Sequence, residues 1–591
     1  MAQYVHVEIN IEGKSIKQFS SFSLSQTIFE HHSFRLVCRT EAIDGSKGGW
    51  LHTSRNMIGS AISIHIATAN KTGDLQFSGV ITQVEAARHD GHAGDIIISG
   101  YSPTILLDNG PHCQSWEKKA VKGIATEVLQ PFPQNLLKPK ISPTYGETLS
   151  YTVQYRETAW QFLSRLSATY GEWFFYDGQK LIMGTPQGQK AKLVFGNNLH
   201  NFSMALQVRP ASFEVMAYDY INHEVYTGNP SGIASKAGLN EFGKHTLQKS
   251  EKFYNTKPKE WHNSFLTNKN QLDDFVNARA MMQSSNMVRF NGKSEHPGVQ
   301  IGAPVSVDGK NVFSQADESF GDYHIIAVHH HCDGHGNYAN NFTAIPASVK
   351  MPPVGRHEEP RCETQSAIVT DNNDPKGLGR IRVKFHWMDG TAKTPWLRMA
   401  GAHAGQSKGV FFIPEIGEEV IVGFEGDSAV KPYIIGTVFH GKAKNEFSNQ
   451  GNDIKAIQTR SGNKVIMNDK EGSMLIEDKD GNNIKIDGAG NINIKSKESI
   501  VLACGEAKIE LKKDGTINLT GKNITTNAQQ KAKMVSGQAA FTADGQGNEA
   551  KMEGMKANVN GSMEAKVAGG AKTDVTASGN VTVKGALIML N

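Results

Sequence analysis

Val559-Asn560-Gly561-Ser562-Met563-Glu564-Ala565-Lys566-Val567-Ala568-Gly569 opens a run in which one unit repeats every eight residues. Val559, Val567, Val575 and Val583 mark the period, and Gly561, Gly569, Ala577 and Gly585 each follow two residues later. A looser version lies upstream, where Ile484/Ile486, Ile492/Ile494, Ile500/Leu502, Ile509/Leu511 and Ile517/Leu519 recur every eight or nine residues. Residues two apart stand on one face of a strand, and glycine lets the backbone turn where a Cβ would clash. A period this short is the signature of a solenoid or β-helix. One octad supplies one or two aliphatic side chains, worth about 1.5–3 kcal/mol each when fully buried. Ordering its backbone costs on the order of 10 kcal/mol, so stacked strands must share a central seam. From 463 to 591 the only aromatic residue is Phe541, and no proline follows Pro432. A ladder free of proline around a core too thin for rings suits three chains wound about one axis. Val559, Val567, Val575 and Val583 are then the trimer seam. A single-chain solenoid, usually wider in its lumen, is the alternative.

The 591 residues imply several domains. Charged residues make up 20% and hydrophobic ones 38%, as in a soluble protein, and a net charge of +4 is too small to argue for nucleic acid. Residues 1–10 alternate like a strand, so no secretory signal or membrane span is expected. Five scattered cysteines, Cys38, Cys113, Cys332, Cys362 and Cys504, imply buried thiols in a reducing compartment.

Residues 1–350 read as mainly β with a few helices, in barrels or half-barrels, because short alternating runs at 4–9, 61–66, 77–81 and 95–101 are separated by Gly and Asp. The clearest helix starts at Thr158, which has capping-box spacing to Gln161. Trp160, Leu163, Leu166 and Tyr170 trace its apolar face, and Gly171 ends it. Pro352, Pro353 and Pro360 flank a linker. Residues 361–440 then read as an OB-type barrel. There Ile381, Val383, Phe385 and Trp387 are expected to face in, and Arg380, Arg382, Lys384 and His386 to face out. A neck at 441–462 leads to a triangular β-helix needle at 463–591.

These segments resemble one family. The tail is similar to the needles of contractile injection machines, in phage tails and in the VgrG spikes of type VI secretion. The stretches His31-His32-Ser33-Phe34-Arg35-Leu36 and Tyr155-Arg156-Glu157-Thr158-Ala159-Trp160-Gln161-Phe162-Leu163-Ser164-Arg165-Leu166 resemble those of the VgrG hub. Asp374-Pro375, Leu378-Gly379-Arg380-Ile381-Arg382-Val383, Pro414, Gly417-Glu418-Glu419-Val420 and Ile434-Ile435-Gly436 resemble its barrel. The resemblance implies a homotrimeric spike that punctures a target membrane. It sits on an Hcp-like tube protein among baseplate proteins and carries a PAAR-type cap and an effector at its tip. Leu587, Ile588, Met589, Leu590 and Asn591 would hold that cap. The spike would be cytoplasmic until assembly and then injected. A phage tail hub of the same architecture is the near rival.

No catalytic residue, metal site, cofactor or nucleic-acid partner is expected, and no enzyme. The chain lacks a G-x-S-x-G elbow, an H-E-x-x-H helix and a P-loop. The one contrary signal is His329-His330-His331-Cys332-Asp333-Gly334-His335, which holds zinc-ligand residue types and suggests a metal-dependent hydrolase as a rival. Neighbouring strand residues point to opposite faces, so only His329 and His331 converge directly, and an ordinary strand pair with Tyr338 and Phe342 is the simpler reading. Asp478-Lys479-Asp480-Gly481-Asn482 lacks full calcium-loop spacing and reads as a β-turn.

Replacing Val567 by Asp would place three carboxylates around one narrow axis, where they cannot all stay ionised. Val567→Asp is therefore expected to lower the melting temperature well below that of Thr573→Asp, at an outward octad position. Equal melting temperatures would contradict the inward assignment.

Overall fold

The computed structural model describes residues 4–44, 51–68, 73–88, 94–264, 266, 268–311, 313–354, 357 and 359–590. The chain forms two units, Met1–Ala443 and Lys444–Asn591, and is mainly β throughout.

The first unit is built on a 13-stranded sheet. Leu199–Leu206 forms one edge and Lys14–Ile16 the other. At its centre the strand Asp317–Asp333 lies between Ser21–Thr27 and Tyr338–Pro346, antiparallel to both. The register brings His330 opposite Leu24 on one side and Asn340 on the other.

The helix Ala159–Tyr170 has both halves of the capping box. Thr158 Oγ1 accepts from the Gln161 amide at 3.1 Å, and the Thr158 amide donates to Gln161 Oε1 at 3.0 Å. Gly171 closes the helix at φ 71°, a left-handed conformation that costs glycine nothing. The helix is buried more completely than one apolar face predicts: Phe162, Ser164, Arg165, Ser167 and Ala168 are buried with Trp160, Leu163 and Leu166. Arg165 survives there because Nε and a terminal nitrogen each donate to the Glu157 carboxylate at 2.7 Å, and it also donates to the Val153 carbonyl at 2.9 Å. A buried charge needs such pairing to be tolerated.

A four-stranded antiparallel sheet follows, in the order Arg382–Phe385, Gln365–Asp371, Glu419–Phe424, Pro432–Thr437. Ile381, Val383 and Phe385 are fully buried, as period-two alternation requires, and Trp387 is half-buried. Tyr151, Val153 and Tyr155, from the preceding strand Thr148–Glu157, enter the same core.

The second unit is a series of antiparallel meanders. Five strands run from Ile454–Gln458 to Ile492–Lys495, three from Ser499–Cys504 to Ile517–Thr520, and three from Lys531–Ser536 to Glu549–Glu553. The ladder thus begins at Ile454, inside the stretch read as a neck. Asp478 forms a turn: its carboxylate accepts from the amides of Asp480 and Asn482, each at 2.9 Å, and from Asn482 Nδ2 at 2.7 Å. Asp487 with Asn491, and Asp333 with Asn337, repeat this arrangement. Cys38, Cys332 and Cys362 are buried, Cys113 is half-buried and Cys504 is exposed. The expectation that all the thiols are buried is corrected at the last two, because a thin sheet leaves Cys504 open.

Thr158 also donates from its hydroxyl to Asp108, so the cap ties the helix to a neighbouring turn. Thr158→Ala is expected to destabilise the first unit by about 1–2 kcal/mol in urea unfolding, and Thr158→Ser to restore most of that.

Candidate functional site

In the second unit the aliphatic pairs line up across strands. Ile484 faces Ile494 and Ile486 faces Ile492. Ile500 faces Leu511 and Leu502 faces Ile509, which in turn faces Leu519. These rows sit on one face of each meander, yet a single chain leaves them open, with Ile492 at 69% and Ile517 at 65% exposure. Val559, Val567, Val575 and Val583 lie where no strand is assigned, and all are exposed, Val567 at 79%. Leu587, Ile588, Met589 and Leu590 are exposed as well, and Asn591 lies outside the described residues. Large aliphatic rows at water mark an interaction surface or an aggregation hazard.

Two sequence stretches singled out in the first unit meet in space. The His31 ring packs against Trp160, tilted by 35° with ring centres 4.3 Å apart. Its Nδ1 bonds Thr104 Oγ1 at 2.8 Å and its Nε2 bonds Asp108 Oδ2 at 2.9 Å. Burial lowers its pKa, against the pull of Asp108. Hydroxyl, imidazole and carboxylate are aligned as in a nucleophilic triad, but Thr104 is fully buried. A substrate cannot reach it, so the arrangement joins the hairpin at His31 to the helix.

His32 faces the other way, into a buried polar chain. Gln26 Nε2 bonds His32 Nδ1 at 3.0 Å, and Gln26 Oε1 bonds His330 Nε2 at 3.1 Å. His330 Nδ1 then bonds the Tyr338 hydroxyl at 2.6 Å, which also accepts from Asn340 at 3.0 Å. Both ring nitrogens of His330 are thus engaged by protein. His329 and His331 are exposed on the opposite face, and His329 Nδ1 bonds Ser25 Oγ at 2.8 Å. Among the described residues no three His, Cys, Asp or Glu side chains are arranged to hold a metal.

The barrel's cationic row requires a correction. Arg380 does not face out: it is buried and pairs with the equally buried Asp374, at 2.9 Å from Nε and 2.6 Å from a terminal nitrogen. Asp374 also accepts from the amides of Lys376 and Leu378, and the Arg380 pair holds its carboxyl well below the usual range. Arg382 pairs with Glu117, and Lys384 donates to the Gly390 carbonyl at 2.7 Å. Arg382 and Lys384 are thus engaged by other groups of the unit, and His386 is exposed. Sequence reasoning passed over Val410, Phe411 and Phe412, which are exposed beside this barrel. The signal was three consecutive apolar residues in a loop.

The sequence matches the phage tail baseplate hub family over residues 30–336 and the type VI secretion system/phage-baseplate injector OB domain over 365–439. It is similar to the type VI secretion system spike protein VgrG1a of Pseudomonas aeruginosa, at 23% identity over 83% of this chain and 88% of that protein. Spike protein VgrG4b of the same organism is 27% identical over 56% of this chain and 44% of its own length. Among solved structures, the Francisella PdpA–VgrG complex in its lidded form is similar with a TM-score of 0.51 and 8% identity, over 88% of this chain and 80% of that one. That last likeness is one of fold.

Burial pushes the pKa of His32 and of His330 down to about 3, from an ordinary 6.5. Below pH 6.5 the unfolded chain binds protons that the folded one refuses. The stability is therefore fully present above pH 6.5 and is lost as pH falls toward 3. Between pH 7 and pH 5 each histidine is expected to remove about 2 kcal/mol of stability. His330→Gln should flatten the pH dependence of the urea midpoint by about that amount, and an unchanged slope would contradict the assignment.

Proposed function

Since the chain belongs to the phage tail baseplate hub family, whose profile spans more than half of it, we propose that it is the trimeric spike of a contractile type VI secretion apparatus. In this reading residues 1–350 form the hub, 361–440 the barrel collar and 463–591 the needle. Three hubs stack on an Hcp-like tube within the baseplate. Three tails wind into one needle, with Val559, Val567, Val575 and Val583 in the seam. Leu587, Ile588, Met589, Leu590 and Asn591 form a platform for a PAAR-type cap and its effector. Contraction of the sheath drives the assembly from the cytoplasm through a target membrane. The action is mechanical and needs no catalytic group.

One observation carries the proposal. The registered aliphatic rows of the second unit stay at water in a single chain. Each such side chain gains about 1.5–3 kcal/mol on full burial, and a meander one sheet thick cannot provide it. Two further copies can. The relatives VgrG1a and VgrG4b are spike proteins by name, which favours secretion over a phage tail hub. Neighbouring genes for a sheath or a capsid would separate the two.

Native mass spectrometry is expected to give three times the 64.5 kDa chain, and deletion of residues 463–591 to weaken that assembly. Removing residues 587–591 should abolish co-purification of a PAAR-type partner while the trimer survives. A stable folded monomer would overturn the trimer, and a cap retained on the truncated chain would overturn the platform.

A further inference from the structure

Arginine is held in one recurring way in the first unit, between an aromatic ring and a carboxylate. Arg156 lies 5.3 Å from the Tyr155 ring centre and 2.7 Å from Glu363. Arg279 lies 4.6 Å from the Phe213 ring centre and 2.6 Å from Glu260. Arg398 lies 4.4 Å from the Tyr220 ring centre and pairs with Glu425. A planar guanidinium suits both neighbours, because it stacks on the ring while its N–H groups meet the carboxylate. One further place offers rings and carboxylates, with no guanidinium over the rings among the described residues.

That place is a cleft of about 640 Å³, walled by the helix Ala159–Tyr170, the loop after Glu260 and the barrel turn at Gly426. Tyr145 and Tyr170 stack in it with ring centres 4.5 Å apart, and both are half-buried. Buried Glu172 fixes Tyr145, accepting from its amide at 2.7 Å and from the Thr144 hydroxyl at 2.9 Å. Trp261 lines the cleft at 51% exposure, and its Nε1 donates to Asn263 Oδ1 at 2.9 Å. Buried Tyr151 and half-buried Ser264 line it too, and the hydroxyl oxygen of each is buried without a hydrogen-bond partner. The charge around the tyrosine pair is negative. Burial, and then Asp274 and Glu147, push the Tyr145 hydroxyl up to about 12. Asp274 is itself raised by burial and then by Glu147 and Asp273, and Lys236 offsets only part of this. Glu147 and Asp274 are exposed, and neither is in an ion pair among the described residues. Arg165 lines the cleft, but its donors go to Glu157, Glu359 and the Val153 carbonyl. Arg361 and Asp427, both exposed, add one charge of each sign.

We propose that this cleft binds an arginine side chain on an extended basic segment of a partner protein. The guanidinium lies on the Tyr145 and Tyr170 pair and meets the carboxylates of Glu147 and Asp274, completing the arrangement that Arg156, Arg279 and Arg398 already show within the chain. The volume falls in the range of ligand sites and exceeds what one side chain fills. The backbone beside the arginine therefore enters as well, and its amides donate to the hydroxyls of Tyr151 and Ser264. A lysine gains the charge attraction but not the stacking or the two-pronged pairing of a planar cation. Every residue of the site belongs to the first unit, so the proposal stands apart from how the tail assembles.

The test uses the full-length protein and a short fluorescein-labelled peptide of alternating glycine and arginine, with citrulline and lysine counterparts, in fluorescence anisotropy. The arginine peptide is expected to bind, and the citrulline peptide, which keeps the shape without the charge, to bind about tenfold more weakly. Glu147→Gln combined with Asp274→Asn, both at exposed positions, is expected to weaken the arginine peptide about tenfold, and so is Tyr145→Leu. Melting temperatures check that each variant folds, and if Tyr145→Leu does not, the pair of charge substitutions decides. No binding of the arginine peptide would overturn the proposal. So would equal binding of the arginine and lysine peptides, or an affinity unchanged by the substitutions, since general charge attraction would then suffice. Peptide binding that appears only after an assembly is dissociated would show another copy filling the cleft, and would overturn it as well.

Discussion

The structure depends on aliphatic side chains that one copy of the chain cannot cover. From Ile454 onward the strands carry Ile, Leu and Val at two-apart spacing, and the register aligns them in rows. A sheet stabilises itself through such rows only when something packs on them. Among the described residues of the second unit these rows stay largely at water, and none beyond Glu553 is assigned to a strand. In the proposed spike the energetics of the tail are therefore the energetics of assembly, with folding of the needle and formation of the trimer one equilibrium.

The first unit is built on the opposite plan. Its sheet, its helix and its barrel bury their own cores, and its charged groups are paired inside them: Arg165 with Glu157, Arg380 with Asp374. Such pairs hold strands and turns in one arrangement, because removing either partner leaves an uncompensated buried charge. A part that transmits force needs that kind of over-determined packing. The contact of the His31 and Trp160 rings serves the same purpose, locking a hairpin of the sheet to the largely buried helix Ala159–Tyr170.

Much of this was legible in the residues. Thr158, Gln161 and Gly171 announce the helix because capping is local chemistry, written within a few residues. The alternation at Ile381, Val383 and Phe385 is local as well. Arg380 was misread because charge suggests an outward face, while its partner Asp374 curls back from six residues upstream. Of the two partners of His330, Tyr338 lies on the neighbouring strand that the sequence suggested, but Gln26 could not be read. Gln26 lies 304 residues away and is brought in by strand pairing across the sheet. In the tail the looser repeat from Ile484 to Leu519 marked strands, whereas the strict octads from Val559 fall where no strand is assigned; the antiparallel meander and its register come from tertiary structure.

Amide hydrogen exchange along residues 554–590 tests the dependence on other copies most directly. Outside any sheet these amides exchange about as fast as an unfolded peptide. Paired with strands of two further copies they should be protected by a factor of ~1000 or more, as strongly as the strands of the hub, and should lose that protection when the trimer is dissociated. Fast exchange of this segment in the assembled protein would contradict a needle closed by three chains.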